Sequence, residues 1–252
     1  MPARAPHERF GDLSYEAFRR MAADPQLSPH ERSGFPDEYR EGAERAILDD
    51  VEAKLPALAG PPAVIVDIGC GANPLSDELR TRCAARGHTL ILVDSPEVLA
   101  HHRPAEGVEL WPGRFPDLPD LQQARAGGCD AVLAYSVIQY TFAEGSVFAF
   151  LDAALTLLRP GGRLLIGDVP NASMRRRFLA SEAGREHHRA YAGADEDPEV
   201  RWPALPVGEP DDAVVLALLA RARDAGFHGW VLPQAAGLPM ANRREDLLLA
   251  RP

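Results

Sequence analysis

Short apolar runs alternate with segments of helical periodicity between residues 63 and 170, and this alternation constrains the fold more than any other feature of the chain. The runs are rich in valine, isoleucine and leucine, and each is too short for a buried helix. Uninterrupted apolar strands are typical of a parallel sheet, because the helices that connect its strands cover both of its faces. The pattern predicts strands at 63–67, 89–94, 108–111, 130–135 and 163–169, and helices at 74–86, 96–102 and 146–158.

The C-terminal part adds a helix at 211–225 and two strands at 227–232 and 246–250. The segment between these last strands is too short for a crossover helix, so we expect them to be antiparallel neighbours. The predicted fold class is α/β, with a doubly wound, seven-stranded, mostly parallel sheet whose last strand is antiparallel.

Two regions lie outside this alternation. Helices are predicted at 14–23 and 37–55, so residues 1–60 are interpreted as an N-terminal helical cap on a domain that spans 61–252. Within that domain, 171–210 is polar and rich in proline and lacks clear regular structure. A loop of this length is typical of a lid or a binding insertion.

Composition excludes several classes of function. The chain has 27 basic and 37 acidic residues and a formal net charge of −10, which disfavours a broad surface for nucleic acid or for an anionic membrane. No apolar run approaches the roughly 20 residues that span a bilayer, and the first residues lack the apolar core of a secretory signal. An acidic balance does not define a partner by itself; it suits a cationic ligand better than an anionic polymer, and a homodimer stays open.

Cysteine and histidine usage bears on location and on metals. The three cysteines, Cys70, Cys83 and Cys129, have no paired spacing, which predicts a reducing, cytoplasmic location. No cluster of histidine, cysteine and carboxylate side chains has the spacing of a metal site, so no metal is predicted.

The segment 64–74, VIVDIGCGANP, carries the strongest chemical signal. Asp67 ends the first strand, and Gly69 and Gly71 form a turn in which the backbone can approach a ligand closely. Asn73 can cap the helix that follows, with proline at the first helical position. Taken alone, the segment is also compatible with a plain loop between a strand and a helix.

Two observations weigh against a dinucleotide in this turn. The NAD fingerprint requires a third glycine, and Pro74 stands at that position. The carboxylate of Asp67 would repel a pyrophosphate, whereas it would tolerate an ammonium or sulfonium group.

A second acid, Asp94, ends the run LILVD and is placed to accept hydrogen bonds from ribose hydroxyls. The alternative role for Asp94 is to cap the helix that follows.

Four further segments follow in order: WPGRF at 111–115, DAVLAYSVIQY at 130–140, LRPGGRLLI at 158–166 and AGF at 225–227. With 64–74 and 90–94, they make the chain similar to the class I, Rossmann-like, S-adenosylmethionine-dependent methyltransferases. That resemblance covers about residues 60–170 and 211–252.

The resemblance implies S-adenosyl-L-methionine as the cofactor. Asp67, Gly69 and Gly71 would line its methionyl part, together with Tyr135 and Ser136. Asp94 would bind the ribose, Phe115 would border the adenine, and Arg40 would reach the carboxylate. The full set of candidate cofactor-binding residues is Arg40, Asp67, Gly69, Cys70, Gly71, Asn73, Asp94, Ser95, Phe115, Tyr135 and Ser136.

Two departures from the family pattern affect this set. Asn73 stands where glycine is common, and Arg114 replaces the acid that commonly meets the adenine amino group.

The segments 34–42, 135–140 and 167–171 also resemble methyltransferases of bacterial glycan and specialised-metabolite pathways, antibiotic biosynthesis included. This resemblance implies direct, SN2-like methyl transfer to an oxygen or nitrogen of a sugar or another small molecule.

Four residues are candidates for catalysis. Asp168 follows the fifth strand and Tyr140 the fourth, and ligands of open α/β sheets bind beyond the carboxyl ends of the strands. Asp168 could act as a general base or could simply form a turn. His187 and His188 lie in the 171–210 segment and could also accept a proton, although exposed lid histidines are the alternative.

Further charged side chains have two interpretations each. Arg175, Arg176 and Arg177 suit either a patch for a phosphate or carboxylate, or the charged start of a helix. His101 and His102 are expected to be solvated. The rival functions are an NAD-dependent oxidoreductase and a non-catalytic binding protein with the same fold.

Overall fold

A computed structural model describes residues 14–34, 40–193, 196–202 and 208–252. Seven strands form one sheet in the order β3-β2-β1-β4-β5-β7-β6. β7 is antiparallel to both of its neighbours, and the other pairs are parallel. This confirms the predicted sheet. The strands are β1 (Val64–Ile68), β2 (Thr89–Asp94), β3 (Val108–Pro112), β4 (Cys129–Tyr135), β5 (Leu158–Pro170), β6 (His228–Pro233) and β7 (Arg244–Ala250).

Helices cover both faces of the sheet and also precede it in the chain. In the described residues they are α1 (Tyr15–Ala23), α2 (Pro29–Arg32), α3 (Glu44–Lys54), α4 (Pro74–Arg86), α5 (Pro96–Leu99), α6 (Pro119–Arg125), α7 (Ile138–Glu144), α8 (Val147–Leu157), α9 (Ala172–Ala180), α10 (Glu182–Ala192) and α11 (Asp212–Asp224), with a 3₁₀ turn at Pro56–Ala59.

Two apolar cores follow from the alternation of side chains along each strand. In β2, Leu90 and Leu92 belong to the core beneath α1, α3, α4 and α5. Ile91 and Val93 belong to the opposite core, beneath α6, α7, α8 and α11. Because both faces of the strand are covered, its sequence is apolar throughout, which is the pattern that predicted the parallel sheet.

The start of α4 shows how the sequence fixes the turn between β1 and α4. The Asn73 side chain accepts hydrogen bonds from the backbone N–H groups of Leu75 and Ser76 and so caps the helix. Pro74 occupies the first helical position, where no N–H is needed. Gly87 ends the helix in the left-handed conformation. β1 and α4 are therefore joined by a turn of defined geometry.

The prediction that 171–210 lacks regular structure is wrong, since α9 and α10 lie within it. Ser181 caps α10 by accepting a hydrogen bond from the Gly184 backbone N–H. A side chain at Gly184 would come within 1.9 Å of the Phe178 carbonyl oxygen, so only glycine lets the two helices meet this closely. Both helices are polar, and sequence periodicity therefore did not reveal them.

The helix predicted at 37–55 is shorter in the structure. It begins at Glu44, after a turn in which Gly42 has a φ of 81°, and residues 37–39 lie outside the described part of the chain. Helices α2, α6 and α7 were not predicted, because each is too short for a clear period. Of the helices described, none has the length and apolar character needed to cross a membrane.

A buried ion pair joins α3 to β7. The Lys54 Nζ lies 2.7 Å from Oδ2 of Asp246, and 2.5 Å from Oδ2 of Asp50 one helical turn earlier. Asp246 is completely buried, and its Oδ1 accepts a hydrogen bond from the Asp168 backbone N–H at 2.8 Å. Loss of Lys54 would leave the Asp246 carboxylate without a cationic partner in the protein interior, whereas loss of Asp246 would leave Lys54 paired with Asp50.

We expect Lys54→Met to reduce the free energy of unfolding by about 3–5 kcal/mol, because it leaves the buried Asp246 carboxylate unpaired. The double variant Lys54→Met/Asp246→Asn should recover part of the loss, because it removes that charge. Urea unfolding measures both. The control is Arg221→Met, which breaks the exposed pair with Asp152 and should cost less than about 1 kcal/mol. Equal losses in the Lys54 and Arg221 variants would contradict this account of the buried pair.

Candidate functional site

A cleft of about 1130 Å³, counting its open mouth, lies at the carboxyl ends of β1, β2 and β4. This is the edge at which open α/β sheets bind ligands. Residues from α1, α2 and the segment that follows α2 form the side opposite the strand ends. The candidate cofactor-binding residues on its wall are Arg40, Asp67, Gly69, Cys70, Gly71, Asn73, Asp94, Phe115, Tyr135 and Ser136. We refer to this cleft as the first cavity.

The glycine turn after β1 forms part of the wall. Gly69 and Gly71 have φ values of 71° and 63°, a backbone region that residues other than glycine rarely adopt. A Cβ atom on Gly69 would lie 2.6 Å from the Val137 side chain. Contact with Val137 therefore requires glycine at position 69, and the approach of a ligand to this turn stays a prediction.

His102 supports the turn from behind. Its Nε2–H group donates to the Gly71 carbonyl at 2.7 Å, and the side chain is buried. The Nε2 atom also lies 3.7 Å from Sγ of Cys70. Burial lowers the pKa of His102 and raises the pKa of the Cys70 thiol. The expectation that His102 is solvated is wrong, because the turn after α5 directs its ring inward.

Two carboxylates lie on the same wall. Asp94 accepts hydrogen bonds from the backbone N–H groups of Gly71 (3.0 Å) and Ser95 (2.7 Å). Asp67 is only 5% exposed, yet its carboxylate accepts no hydrogen bond from any residue that the structure describes. Burial, reinforced by the charge of Asp94, raises the pKa of Asp67 to about 7. Burial raises the pKa of Asp94 to about 6. This wall would stabilise a cation or a set of hydrogen-bond donors.

Aromatic side chains form another part of the first cavity. Phe115 and Phe150 pack edge to face, with ring centroids 5.1 Å apart. Arg114 lies at the cavity near Glu144, with Nη2 and Oε2 3.4 Å apart, and its guanidinium lies 5.5 Å from the Tyr15 ring centre. An acid therefore does border this region, but α7 supplies it.

Asp168 lies at the centre of a buried polar cluster next to the first cavity, not on its wall. Its Oδ2 atom contacts the Arg40 guanidinium and the Ser136 hydroxyl, and accepts a hydrogen bond from Arg244 at 2.6 Å. Its Oδ1 atom accepts one from Gln234 at 3.3 Å. Arg40, expected at the cofactor carboxylate, donates to Ser136 Oγ at 2.5 Å and is committed to this cluster.

Backbone strain accompanies the cluster. Ser136 and Asp168 have φ values of 61° and 58°; Ser136 directly follows β4, and Asp168 lies in β5 where its pairing with β7 is irregular. Such conformations in residues other than glycine are costly and concentrate at functional sites. The carboxylate of Asp168 faces two guanidinium groups, an arrangement that suits positioning better than proton abstraction.

The remaining predicted residues fall in different places. Tyr140 lines the first cavity and packs edge to face on Phe18, with ring centroids 4.7 Å apart. Burial raises the pKa of Tyr140, so its phenol stays protonated at neutral pH. Ser95 is buried and caps α5 by accepting from the Val98 N–H. His187 and His188 lie on a second cavity, beyond Asp168, so the structure does not bring them to the first.

Sequence patterns did not identify several residues of the first cavity. Tyr15 and Phe18 come from α1, and Arg32 and Ser33 from the end of α2. The buried Nε of Arg32 has no hydrogen-bond partner among the described residues. Ser33 accepts a hydrogen bond from Asn73 at 2.8 Å and so ties the N-terminal segment to the glycine turn. Their local sequence carries no motif, and only the tertiary fold brings them to the cavity.

The raised pKa of Asp67 predicts a pH dependence of stability without ligand. The folded state keeps a proton up to about pH 7, whereas an unfolded aspartate releases it near pH 4, so the free energy of unfolding falls as pH rises from 5 to 8. Asp67→Asn removes this contribution and should flatten the fall, as measured by urea unfolding at pH 5, 6, 7 and 8. Asp152→Asn is the control, because a lowered pKa cannot contribute in this range. An Asp67→Asn slope identical to wild type would refute the assignment.

Comparison with protein-family models gives no match, and comparison with curated proteins gives none either. Solved structures do match. The N-methyltransferase NodS from Bradyrhizobium japonicum, in complex with S-adenosylhomocysteine, superposes with a TM-score of 0.56 at 14% identity, over 96% of this chain and 100% of that one.

A second match is the 1,6-didemethyltoxoflavin-N1-methyltransferase of Burkholderia thailandensis, solved with 1,6-didemethyltoxoflavin and S-adenosylhomocysteine. It has a TM-score of 0.52 at 22% identity, over 100% of this chain and 92% of that one. A methyltransferase described as putative, in complex with the Trm112 activator of Haloferax volcanii, gives 0.56 at 16% identity, over 93% and 96%. The chain thus has the fold of the class I S-adenosylmethionine-dependent methyltransferases.

Proposed function

We propose that the chain binds S-adenosyl-L-methionine in the first cavity and transfers its methyl group to an oxygen or nitrogen of a small molecule, such as a sugar or a specialised metabolite. The observation that carries the proposal is the buried carboxylate of Asp67, which has no hydrogen-bond donor among the described residues and faces the cavity beside Asp94. A cationic ligand whose ribose donates hydrogen bonds would satisfy both acids.

The other walls of the first cavity suit the same ligand. Phe115 and Phe150 offer an apolar surface for an adenine ring, and Glu144 offers an acceptor for its amino group. Arg32 is our candidate for the cofactor carboxylate, in place of Arg40, because its buried Nε has no partner among the described residues. The glycine turn leaves room for the methionyl chain.

The cofactor would supply an electrophilic methyl group on a positively charged sulfur, and this sulfur would leave as a neutral thioether when the methyl carbon bonds to the lone pair of the acceptor. The protein would hold the acceptor in line with that bond, so that positioning provides much of the rate. Tyr140 and Phe18 would exclude water, and the Tyr140 phenol would donate a hydrogen bond.

Proton removal depends on the acceptor. A neutral nitrogen can react through its lone pair and lose its proton afterwards, whereas a hydroxyl benefits from a base. We propose that Asp168 is a positioning residue, because its oxygens are held by Arg40, Arg244, Ser136 and Gln234. His187 and His188 remain our candidates for accepting a proton, from the side of the second cavity.

Two rival functions meet specific obstacles. Pro74 occupies the first position of α4, and the charge of Asp67 would oppose the pyrophosphate of NAD. A binding protein without catalysis would share the first cavity but would not turn over S-adenosylmethionine. Turnover of S-adenosylmethionine with an acceptor would distinguish the proposed enzyme from such a binding protein.

The N-terminal helices and the cysteines fit the same function. Residues 1–60 would act as a helical cap, since Tyr15 and Phe18 line the first cavity. The partner would be a small-molecule acceptor, and a homodimer stays open. Three free, buried cysteines suit a reducing cytoplasm.

Calorimetry with S-adenosylmethionine, S-adenosylhomocysteine and NAD tests the proposal. We expect S-adenosylhomocysteine to bind in the micromolar range, at about −8 kcal/mol, and NAD not to bind. Asp94→Ala should weaken binding at least tenfold, because it removes the acceptor for the ribose hydroxyls. Asp67→Asn should weaken it through loss of the charge opposite the ammonium group.

The matched control for these two variants is Asp120→Asn, an exposed acid on α6, which should bind as the wild type does. Failure of the wild type to bind either sulfur ligand would refute the proposed cofactor. Equal weakening in all three variants would refute the assignment of Asp67 and Asp94.

A further inference from the structure

A second cavity, of about 1320 Å³ with its mouth, lies beyond the end of β5. Helices α9 and α10 form much of its wall, and the chain just before and at the start of β7 closes another side. None of the sequence motifs that point to the cofactor contributes to it. Its chemistry must therefore be inferred from its own side chains.

Arginine side chains give the second cavity its polar character. Arg175, Arg243 and Arg244 line it, against the carboxylates of Glu199 and Glu209. Arg175 is exposed, and its side chain forms no ion pair or hydrogen bond with any described residue. His187 and His188 add ring nitrogens that can donate hydrogen bonds. Guanidinium and imidazole donors together suit a carboxylate or a phosphate.

Apolar and aromatic side chains form other parts of the wall. Phe178 and Leu179 come from α9, and Tyr191 comes from α10. The rings of Phe178 and His187 meet edge to face, with centroids 5.7 Å apart, which keeps this histidine beside an aromatic surface. The cavity can therefore hold a flat apolar body as well as an anionic group.

Arg244 connects the second cavity to the first. It lines the second cavity, and its Nη1 donates to both Oδ2 (2.6 Å) and the carbonyl oxygen (3.1 Å) of Asp168. The same Oδ2 contacts the hydroxyl of Ser136, which lies on the wall of the first cavity. The side chains of Arg244, Asp168 and Ser136 thus link the wall of the second cavity to the wall of the first. The two cavities are therefore neighbours, and both adjoin the Asp168 cluster.

We infer that the second cavity is the acceptor site and that it takes a small aromatic or heteroaromatic molecule with a carboxylate or phosphate group, which Arg175 binds. This inference rests on the proposed function, because it names the acceptor class for that reaction. The anionic group would fix the orientation of the ring, so that the atom to be methylated points toward Ser136.

The test uses the full chain saturated with S-adenosylhomocysteine, so that no probe can occupy the first cavity. Binding of benzoate, phenyl phosphate and the neutral benzamide is measured by ligand-observed NMR titration. We expect at least one anion to bind ten times more tightly than benzamide, and the better of the two identifies the group as carboxylate or phosphate. Arg175→Gln should reduce that preference at least threefold and leave the affinity for S-adenosylhomocysteine unchanged.

Arg177→Gln is the matched control. Arg177 lies on the same helix but pairs with Asp212 and does not line the second cavity, so its variant should keep the wild-type preference. Equal binding of benzamide and both anions would overturn the inference, as would the same loss in the Arg175 and Arg177 variants. Calorimetry with S-adenosylhomocysteine on the same preparations separates the two claims. If that ligand fails to bind the wild type, the proposed function fails; if it binds without an anion preference, only the acceptor class fails.

Discussion

The buried carboxylate of Asp168 organises the site, because side chains from three other segments of the chain meet at it. Arg40 arrives from the N-terminal region, Ser136 from the end of β4, and Arg244 from β7. The backbone N–H of Asp168 donates in turn to Asp246, which Lys54 neutralises. A buried charge is tolerated only when it is compensated, so the strained conformations of Ser136 and Asp168 depend on these segments being in place.

The parts of the fold that could be predicted from sequence depend on neighbours in the chain. Apolar runs identified the parallel strands because helices cover both faces of the sheet. The turn with Gly69 and Gly71 and the cap by Asn73 are complete within ten residues, so their sequence carries the geometry. Asp67 and Asp94 could also be predicted, because each lies near the carboxyl end of its strand, β1 or β2. The parallel sheet places both of these ends at one edge.

The parts that could not be predicted depend on contacts between distant residues. Arg40 lines the first cavity as well as contacting an acid 128 positions away, and no local pattern links it to that acid. Glu144 places a carboxylate near Arg114. It comes from α7, which is too short to show a helical period in the sequence. Helices α9 and α10 are polar on most of their surface, so their sequence alone is also compatible with a loop. The close contact between Gly184 and Phe178, which joins the two helices, is visible only in the structure.

Lys54 is the only lysine in the sequence, and its ammonium group is buried between two carboxylates. Reagents that acylate side-chain amines therefore meet a folded protein whose single target is shielded. Modification of that amine would require α3 to separate from β7, which makes its rate a report on the opening of this contact. Because β7 also carries Arg244 and Asp246, the rate at which Lys54 is modified would also report whether β7 is in place beside Asp168.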